Sequence, residues 1–179
     1  MIRPAKLTDL PEIMDLTKAC AAHLCEQGIY QWNEKYPSRE AFVTDLERDE
    51  LWVLDLGQGP VGTLVLSQYM DEEYKSVRWN SPDINNRYVH RLAVHPIHQG
   101  KGFARNLMDF AETKAREEGA ASIRLDTFSK NPKNQRFYET RGYRRLSSVY
   151  FPKQSIHPFY CYELLLYSSG EPGAQQKKY

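Results

Sequence analysis

The chain has 179 residues, 41% of them apolar and 26% charged, which is the composition of an ordinary globular domain and excludes a collagen-like or wholly disordered chain. Its 24 basic and 23 acidic residues leave a net charge of +1, which argues against a nucleic-acid-binding protein because neutralising phosphates requires a large basic excess. The sequence has no apolar run of about 20 residues, as a membrane-spanning helix needs, no apolar signal peptide and no zinc-type cysteine spacing, so we expect a cytoplasmic protein with reduced thiols that binds neither membrane nor nucleic acid.

The charge is unevenly distributed along the chain. Residues 1–97 hold 10 basic and 15 acidic residues, whereas residues 98–145 hold 11 basic and 6 acidic ones. A basic segment within a neutral protein indicates a local anionic ligand rather than a polyanionic partner. Chance variation over a segment this short would produce the same imbalance, so the charge alone leaves both interpretations open.

The first elements are a short strand at 2–5 and two helices. Asp9 is the predicted N-cap of the first helix, because Glu12 follows three residues later and apolar residues then recur at helical spacing until Gly28 ends the run. Ser38 is the predicted N-cap of a second, shorter helix. These features place two helices between the first strand and the rest of the sheet.

Two strands follow at 51–56 and 61–69, joined by a glycine-rich turn. Gly57, Gly59 and Gly62 match the G-x-G-x-x-G spacing of a dinucleotide-binding loop, but that loop must lead from a strand into a helix. Here the glycines lie between two strand-like runs, and a proline stands among them. We therefore predict a β-hairpin turn and no dinucleotide site.

The second half of the chain alternates helices and strands. It contains a polar loop at 70–86 that is long enough to be functional or mobile, a strand at 87–95, a helix from 103 to 119, a strand at 122–128, a short helix from 131 to 141 and two closing strands at 143–151 and 159–166. The order predicts an α/β (α+β) fold, a mixed and mostly antiparallel twisted sheet flanked by about four helices, with at least one parallel crossover. We expect one domain over residues 1–167 and a flexible tail at 168–179.

The segment that opens the third helix has the features of an anion-binding site. The first turn of a helix has free N–H groups and a partial positive charge, and Gly100 and Gly102 let an anion approach that backbone closely. Lys101 and Arg105 add positive side chains to the same turn. The segment lacks the G-x-x-x-x-G-K-[ST] pattern of a Walker loop, and the glycines alone would also fit an ordinary turn.

Two motifs in this region resemble those of the GNAT N-acetyltransferase superfamily. Residues 99–104 (QGKGFA) are similar to its Q/R-x-x-G-x-G/A loop, with Ala104 in the place of the last glycine, and residues 91–96 (RLAVHP) look like its fourth strand. Residues 131–143 (NPKNQRFYETRGY) resemble its N-x-x-x-x-x-x-Y-E-x-x-G-[FY] segment. The opening residues 2–11 are also typical of the family, so the resemblance covers roughly residues 2–166.

The resemblance implies that acetyl-CoA is the cosubstrate, and it indicates which residues would bind it. The end of the fourth strand would bind the acetyl and pantetheine part through its backbone, the loop would hold the pyrophosphate, and the last helix would contact the pantetheine arm. These residues are, in that order, Leu92, Ala93 and Val94, then Gln99, Gly100, Lys101, Gly102, Phe103 and Ala104, and finally Asn131 with Asn134. A purely structural role is the alternative for Asn131, as the N-cap of its helix, and a solvated face is the simpler interpretation of Lys133 and Arg136.

The resemblance also implies that Tyr138 points at the thioester sulfur. With ordinary pKa values, full proton transfer from a tyrosine to a thiolate is uphill by about 2 kcal/mol. We therefore interpret Tyr138 first as a hydrogen-bond donor to developing negative charge. A core tyrosine on an amphipathic helix is the alternative.

A base is expected because the attacking amine must be neutral. Freeing a lysine-type amine of its proton at pH 7 costs about 4.6 kcal/mol. His90 is the first candidate, since some family members carry a histidine or glutamate on this strand face and the usual histidine pKa of about 6.5 suits the task; a structural role is the alternative. Alternation along the strand predicts that His90 shares a face with Leu92, and Asp126 in the next strand is the rival base.

The acceptor contacts are predicted to come from the variable parts of the chain. Residues 30–32 and Trp79 are aromatic-rich candidates for the walls of a pocket, unless they only complete the core. The acidic excess of residues 1–97 favours a cationic amine.

These observations predict an N-acetyltransferase that transfers the acetyl group from acetyl-CoA to a primary amine of a small molecule or a peptide. The transfer would occur by direct attack and without a metal, in a monomer or a homodimer. A non-catalytic acyl-CoA-binding sensor module is the alternative, which the presence of Tyr138 disfavours. A Rossmann-type nucleotide-binding protein is less consistent with the sequence, because Arg105 stands where a third glycine or alanine belongs.

Overall fold

A computed structural model describes residues 1–33 and 35–166 of the chain, so the tail expected at 168–179 lies outside the described residues. The strands are β1 (Ile2–Pro4), β2 (Leu51–Asp55), β3 (Pro60–Ser67), β4 (Asn86–Val94), β5 (Ser122–Phe128), β6 (Arg144–Val149) and β7 (Phe159–Leu165). The α-helices are α1 (Leu10–Glu26), α2 (Arg39–Glu47), α3 (Phe103–Glu117) and α4 (Pro132–Thr140). In these described parts, no helix combines the length and the apolar character that crossing a membrane requires.

The strands form one sheet in the order β1-β2-β3-β4-β5-β7-β6. The neighbours are antiparallel except for β4 and β5, which are parallel and are connected through α3. The predicted mixed, mostly antiparallel sheet with a parallel crossover is therefore confirmed. The glycine-rich turn between β2 and β3 is a hairpin connection, as predicted from its position between two strands.

Helices cover both faces of the sheet. The apolar side chains of β3 alternate between the two faces and so contribute to a core on each side. Leu64 and Leu66 lie in the core beneath α3, whereas Val65 lies in a second core with Phe42 of α2 and Ile13 of α1. All five side chains are buried. The sheet is thus the middle layer, with α3 on one side and α1 and α2 on the other.

The helix starts follow the sequence in one case and depart from it in the other. Ser38 caps α2, because its Oγ accepts from the Ala41 N–H at 3.2 Å. Asp9 stands at the N-cap of α1 as predicted, but its side chain forms no capping hydrogen bond to the helix, since a 3₁₀ turn at Leu7–Asp9 runs directly into it. The Asp9 carboxylate instead accepts from the Lys6 N–H at 2.7 Å and pairs with Arg3 at 2.7 Å.

The feature that creates a cleft is the early divergence of β4 from β5. The two strands pair only over Asn86–Tyr88 and Ser122–Arg124, whereas β4 stays paired to β3 as far as Val94. The edge of β4 that faces β5 therefore has no strand partner beyond Tyr88. Unpaired backbone groups at such an edge are available to a ligand.

A β-bulge in β4 changes which side chains share a face. Thr63 pairs with Ala93 and Val65 with His90, so two residues on β3 correspond to three on β4, and Arg91 has φ +51°. An extra residue breaks the alternation of a strand. His90 consequently shares a face with Ala93, while Leu92 packs on the core beneath α3. The expectation that His90 and Leu92 lie on one face is wrong for this reason.

The loop expected at 70–86 is packed rather than open. Its first part forms a 3₁₀ helix at Glu72–Ser76, in which Tyr74 is fully buried. Its second part is bound to β7. The Asn80 N–H donates to Glu163 Oε2 at 2.7 Å, and the Ser81 hydroxyl donates to Glu163 Oε1 at 2.5 Å. These anchors hold the 3₁₀ helix against the end of β5.

Candidate active site

A groove of about 360 Å³ opens where β4 and β5 diverge. Its floor is the end of β4, and its sides are α1, the start of α3 and α4. The lining includes the predicted positions Leu92, Ala93, Val94, Gln99, Gly100, Gly102, Phe103, Ala104, Asn131, Asn134 and Tyr138, together with Cys20, His23, Leu24, Gln27, Gln31, Trp32, His98, Arg105, Lys133 and Phe137. The structure thus brings together residues from two motifs about 40 positions apart in the sequence.

The loop before α3 presents its backbone to this groove. Gly100 and Gly102 have φ of +77° and +83°, which is the left-handed region that favours glycine. A Cβ atom at either position would meet no atom within 4 Å, so the space beside the loop is open. Arg105 lines the groove, whereas Lys101 is exposed outside it. The loop therefore fits the anion site expected from the sequence, with Lys101 contributing only its backbone or its distant charge.

Gln99 ties this loop to the end of β4. Its Nε2 donates to the Val94 carbonyl at 3.0 Å, and the Cys20 Sγ donates to the same oxygen at 3.2 Å. A carbonyl oxygen has two lone pairs, so that of Val94 is already satisfied by protein donors. A ligand in the groove would therefore have to use backbone groups at the end of β4 other than this carbonyl oxygen.

Asn131 combines the two roles considered for it. Its Oδ1 accepts from the Asn134 N–H at 3.1 Å, which makes it the N-cap of α4. Its Nδ2 donates to Gln31 Oε1 at 3.2 Å, and the residue lines the groove although it is only 2% exposed. Asn131 therefore fixes the start of α4 and joins it to the segment after α1.

Tyr138 lies on the inner side of α4, where it is 6% exposed. Burial, and then the negative charge of Asp126, raise the pKa of its hydroxyl well above the usual value of a tyrosine. No described residue forms a hydrogen bond with this hydroxyl. Tyr138 is thus a neutral, unengaged donor facing the groove.

A second cavity of about 260 Å³ adjoins the groove. The two share five lining residues, Gln31, Trp32, Leu92, Asn134 and Tyr138. Its other walls are Tyr36, Asp71, Glu73, Val89, His90, Arg91, Asp126, Thr127, Phe151, Gln154 and Phe159. We call this cavity the acidic pocket, because three carboxylates line it. The groove and the acidic pocket therefore meet at Tyr138.

Asp126, one of the carboxylates of the acidic pocket, is hydrogen-bonded to the 3₁₀ helix. Its Oδ2 accepts a 2.5 Å hydrogen bond from the Tyr74 hydroxyl. Burial raises the pKa of Asp126 to about 7, the hydrogen bond from Tyr74 opposes the rise, and the charges of Asp71 and Glu73 add to it. A group with this pKa can exchange a proton near neutral pH.

The pKa of His90 is shifted in the opposite direction to that of Asp126. Burial lowers the pKa of His90 to about 4, although Asp71 acts against the change. Its Nδ1 lies 3.8 Å from Asp71 Oδ2, and its Nε2 has no hydrogen-bond partner among the described residues. The imidazole is therefore neutral at pH 7.

Arg91, the cationic side chain of the acidic pocket, is already paired. Its Nε and Nη2 donate to the two carboxylate oxygens of Asp45 at 2.8 and 2.6 Å, and its Nη1 donates to the Tyr36 hydroxyl at 3.4 Å. A bidentate pair of this kind neutralises the guanidinium. Arg91 therefore forms no ion pair with Asp71 or Glu73, which have no lysine or arginine partner among the described residues.

The comparisons with known proteins settle the family. The sequence pattern that defines the acetyltransferase (GNAT) family matches residues 11–143. The chain belongs to the GNAT family. A Staphylococcus aureus protein classed as an acetyltransferase is 28% identical, with a TM-score of 0.72 over 93% of this chain and 99% of its own. The resemblance found in the sequence is confirmed.

Two further structures match with lower identity and show a likeness of fold alone. The GNAT acetyltransferase of Streptococcus agalactiae has a TM-score of 0.76 at 22% identity, covering 92% of this chain and 94% of its own. The protein yncA of Salmonella typhimurium, determined with its cofactor acetyl-CoA, has a TM-score of 0.68 at 18% identity and 98% coverage of both chains. Acetyl-CoA is the cosubstrate of the GNAT family to which this chain belongs.

The chemistry of the groove suits that cosubstrate. The open left-handed glycines precede a helix N-terminus, which suits a pyrophosphate. The unpaired edge of β4 offers backbone groups to the amides of a pantetheine arm. These two features lie in one groove, and Tyr138 is part of its lining.

Some expected acceptor residues lie elsewhere, and some site residues were not expected. Trp79 packs under the 3₁₀ helix and donates its Nε1–H to the Tyr74 carbonyl at 3.1 Å, while Tyr30 is 66% exposed and lines neither cavity. The α1 wall of the groove and two carboxylates of the acidic pocket, Asp71 and Glu73, were missed, whereas Asp126 was predicted as the rival base. The run of acidic residues at 71–73 was the available signal, but nothing in the sequence indicates that it folds against β5.

Proposed function

We propose that this GNAT protein is an N-acetyltransferase whose acceptor, a primary amine of a small molecule or of a peptide, binds in the acidic pocket. The observation that carries the proposal is the junction of the two cavities at Tyr138. A donor in the groove and an amine in the acidic pocket would meet there, as direct transfer requires. The carboxylate lining of the pocket suits a cationic molecule.

The cofactor contacts belong to the same proposal. Leu92 and Ala93, with the remaining backbone of Val94, would bind the acetyl and pantetheine part, and Asn131 and Asn134 would flank the arm. Residues 99–104 would hold the pyrophosphate through the N–H groups at the start of α3. When bound, acetyl-CoA supplies an acetyl group activated as a thioester.

Tyr138 is assigned the stabilisation of negative charge at the leaving sulfur. Its raised pKa makes full proton transfer from the hydroxyl less favourable, so its contribution is a hydrogen bond held in place by burial. The absence of a described protein partner for its hydroxyl leaves that hydrogen available to the ligand.

The base is better matched by Asp126 than by His90. Both line the acidic pocket, but a histidine with a pKa of about 4 holds a transferred proton weakly at neutral pH. Asp126, with a pKa of about 7, can accept a proton from an ammonium ion and return it to water at the same pH. We therefore assign proton removal to Asp126 and retain His90 as the competing assignment.

The sensor alternative is separated from the enzyme by one experiment. Purified protein is given acetyl-CoA with a panel of primary amines, and the release of free thiol is measured beside calorimetric binding of coenzyme A. The enzyme releases thiol in an amine-dependent manner. Binding of coenzyme A without thiol release for any amine would support the sensor, and no binding at all would refute the assignment of the groove.

We extend the proposal to the cellular compartment of the protein. Cys20, Cys25 and Cys161 are free thiols, and two of them are buried. This supports a reducing, cytoplasmic compartment.

A further inference from the structure

We propose that the preferred acceptor carries a second, protonated nitrogen in addition to the amine that is acetylated. This inference rests on the proposed function, since it concerns the occupant of the acidic pocket. The second cation would bind the outer carboxylates, Asp71 and Glu73, while the reacting amine lies by Asp126 and Tyr138. The ligand class is thus a short aliphatic diamine, or a longer amine in which a short aliphatic chain of the same kind separates two nitrogens.

The first support is the uncompensated charge of the pocket. Asp71 and Glu73 form no ion pair with a lysine or arginine of the described residues, although the neighbouring Glu72 is paired with Lys75 at 2.6 Å. Arg91 is committed to Asp45. The remaining titratable groups that line the pocket are the neutral His90 and the tyrosines Tyr36 and Tyr138. The pocket therefore lacks the positive charge that its carboxylates would attract.

The second support is an unsatisfied histidine. The His90 side chain is 9% exposed and lines the pocket, yet its Nε2 has no hydrogen-bond partner among the described residues. Nδ1 lies 3.8 Å from Asp71 Oδ2, and in the tautomer that places the hydrogen of the neutral ring on Nδ1, beside this carboxylate, Nε2 has a free lone pair. A buried acceptor without a partner is costly. An ammonium ion bound in the acidic pocket would offer the N–H that this nitrogen lacks, once the ring turns Nε2 toward it.

A single amine does not use this arrangement well. The nitrogen that attacks must be neutral, so carboxylates that bind a monoamine stabilise its protonated, unreactive form. A second nitrogen removes the conflict, because it keeps its charge and its contacts with Asp71 and Glu73 throughout the reaction. Such contacts raise the affinity for the acceptor, and they do not oppose the transfer of a proton from the reacting amine to Asp126.

The test compares acceptors of matched length on the full chain with acetyl-CoA. The probes are 1,3-diaminopropane, 1,4-diaminobutane, 1,5-diaminopentane, butylamine, 4-aminobutan-1-ol and 4-aminobutyrate. We expect kcat/KM for the best diamine to exceed that for butylamine by about tenfold or more, the scale of one hydrogen bond to a charged group. The aminoalcohol is expected to resemble butylamine, and the amino acid to be the poorest acceptor.

The variants locate the effect in the pocket. Asp71→Asn and Glu73→Gln are expected to lower the ratio of diamine to monoamine, whereas Glu72→Gln, on the same turn but outside the pocket, leaves it unchanged. Equal kcat/KM for the diamines and butylamine would overturn the inference while the proposed function stands. A diamine preference that survives the Asp71→Asn/Glu73→Gln double substitution would overturn it as well.

A measurement of amine binding keeps the inference testable if no acetyl transfer is observed. Calorimetry on the coenzyme A complex measures the affinity for 1,4-diaminobutane against butylamine. If no amine releases thiol, the proposed function is refuted, and tighter binding of the diamine would still support the ligand class. Equal or absent binding of both amines would overturn it.

Discussion

The Tyr74 hydroxyl donates a 2.5 Å hydrogen bond to Oδ2 of Asp126, joining the 3₁₀ helix of the 70–86 loop to β5. Tyr74 is fully buried, and its position is fixed by contacts with Trp79 and Tyr88. The hydrogen bond stabilises the charged carboxylate and so opposes the effect of burial on its pKa. The loop therefore both forms a wall of the acidic pocket and adjusts the group assigned as base.

Replacing Tyr74 with phenylalanine is expected to move the acid limb of the pH profile upward. Loss of the hydrogen bond disfavours the ionised form, so the pKa of Asp126 rises above about 7 and kcat/KM falls at a higher pH than in the natural protein. Asp71→Asn is expected to move the same limb to lower pH, because it removes a negative charge that raises that pKa. Profiles of kcat/KM measure both shifts. They should run from about pH 5 to about pH 9, which brackets a group that titrates near neutral pH.

Tyr69→Phe is the matched control for this experiment. Tyr69 is exposed and lies near Arg48, away from the pocket, so its profile should coincide with that of the natural protein. Shifts of the same sign in Tyr74→Phe and Asp71→Asn would contradict the assignment of the limb to Asp126.

Asp126→Asn and His90→Gln decide which residue removes the proton. The first is expected to lower kcat/KM by about 100- to 10,000-fold, the usual contribution of a positioned base, and to abolish the acid limb. The second is expected to retain the limb, because a histidine with a pKa of about 4 is already neutral across it. Loss of the limb in His90→Gln, with its retention in Asp126→Asn, would restore the assignment made from the sequence.

Tyr138→Phe is expected to lower kcat by about 100-fold, the scale for loss of one donor to developing charge. Coenzyme A should bind with unchanged affinity, because phenylalanine preserves the packing of Tyr138 against Phe137 and Tyr143. Steady-state rates and calorimetry measure the two quantities. Tyr30→Phe, at an exposed position outside both cavities, serves as the control. Undiminished turnover in Tyr138→Phe would exclude its hydroxyl from the reaction.

The sequence was informative wherever function depends on a local pattern. The glycines at 100 and 102, the helix that follows and the Asn131 cap are each determined by neighbouring residues, and they lie where the motifs predict. The parallel crossover also follows from the strand–helix–strand order. The groove could therefore be anticipated from the amino-acid sequence alone.

The acidic pocket could not be anticipated in the same way. It joins Asp71 to Asp126, which are distant in sequence, through a loop that is held by the Tyr74–Asp126 hydrogen bond and by the hydrogen bonds of Asn80 and Ser81 to Glu163. The bulge at Arg91 is equally nonlocal, since it depends on the register of β4 against β3. The bulge places His90 and Leu92 on different faces of the sheet, so the shared face that alternation predicts is not formed.

The loop at the start of α3 provides the last prediction, through Gly102→Ala. An alanine at φ +83° is strained by about 1–2 kcal/mol although its Cβ would meet nothing within 4 Å, so the variant should unfold at lower denaturant and bind coenzyme A more weakly. Gly57→Ala, at φ +97° in the β2–β3 turn with equally open space, should lose similar stability but keep its affinity. Denaturant unfolding and calorimetry separate the effects, and equal affinity losses in the two variants would mean that the 99–104 backbone does not hold the pyrophosphate.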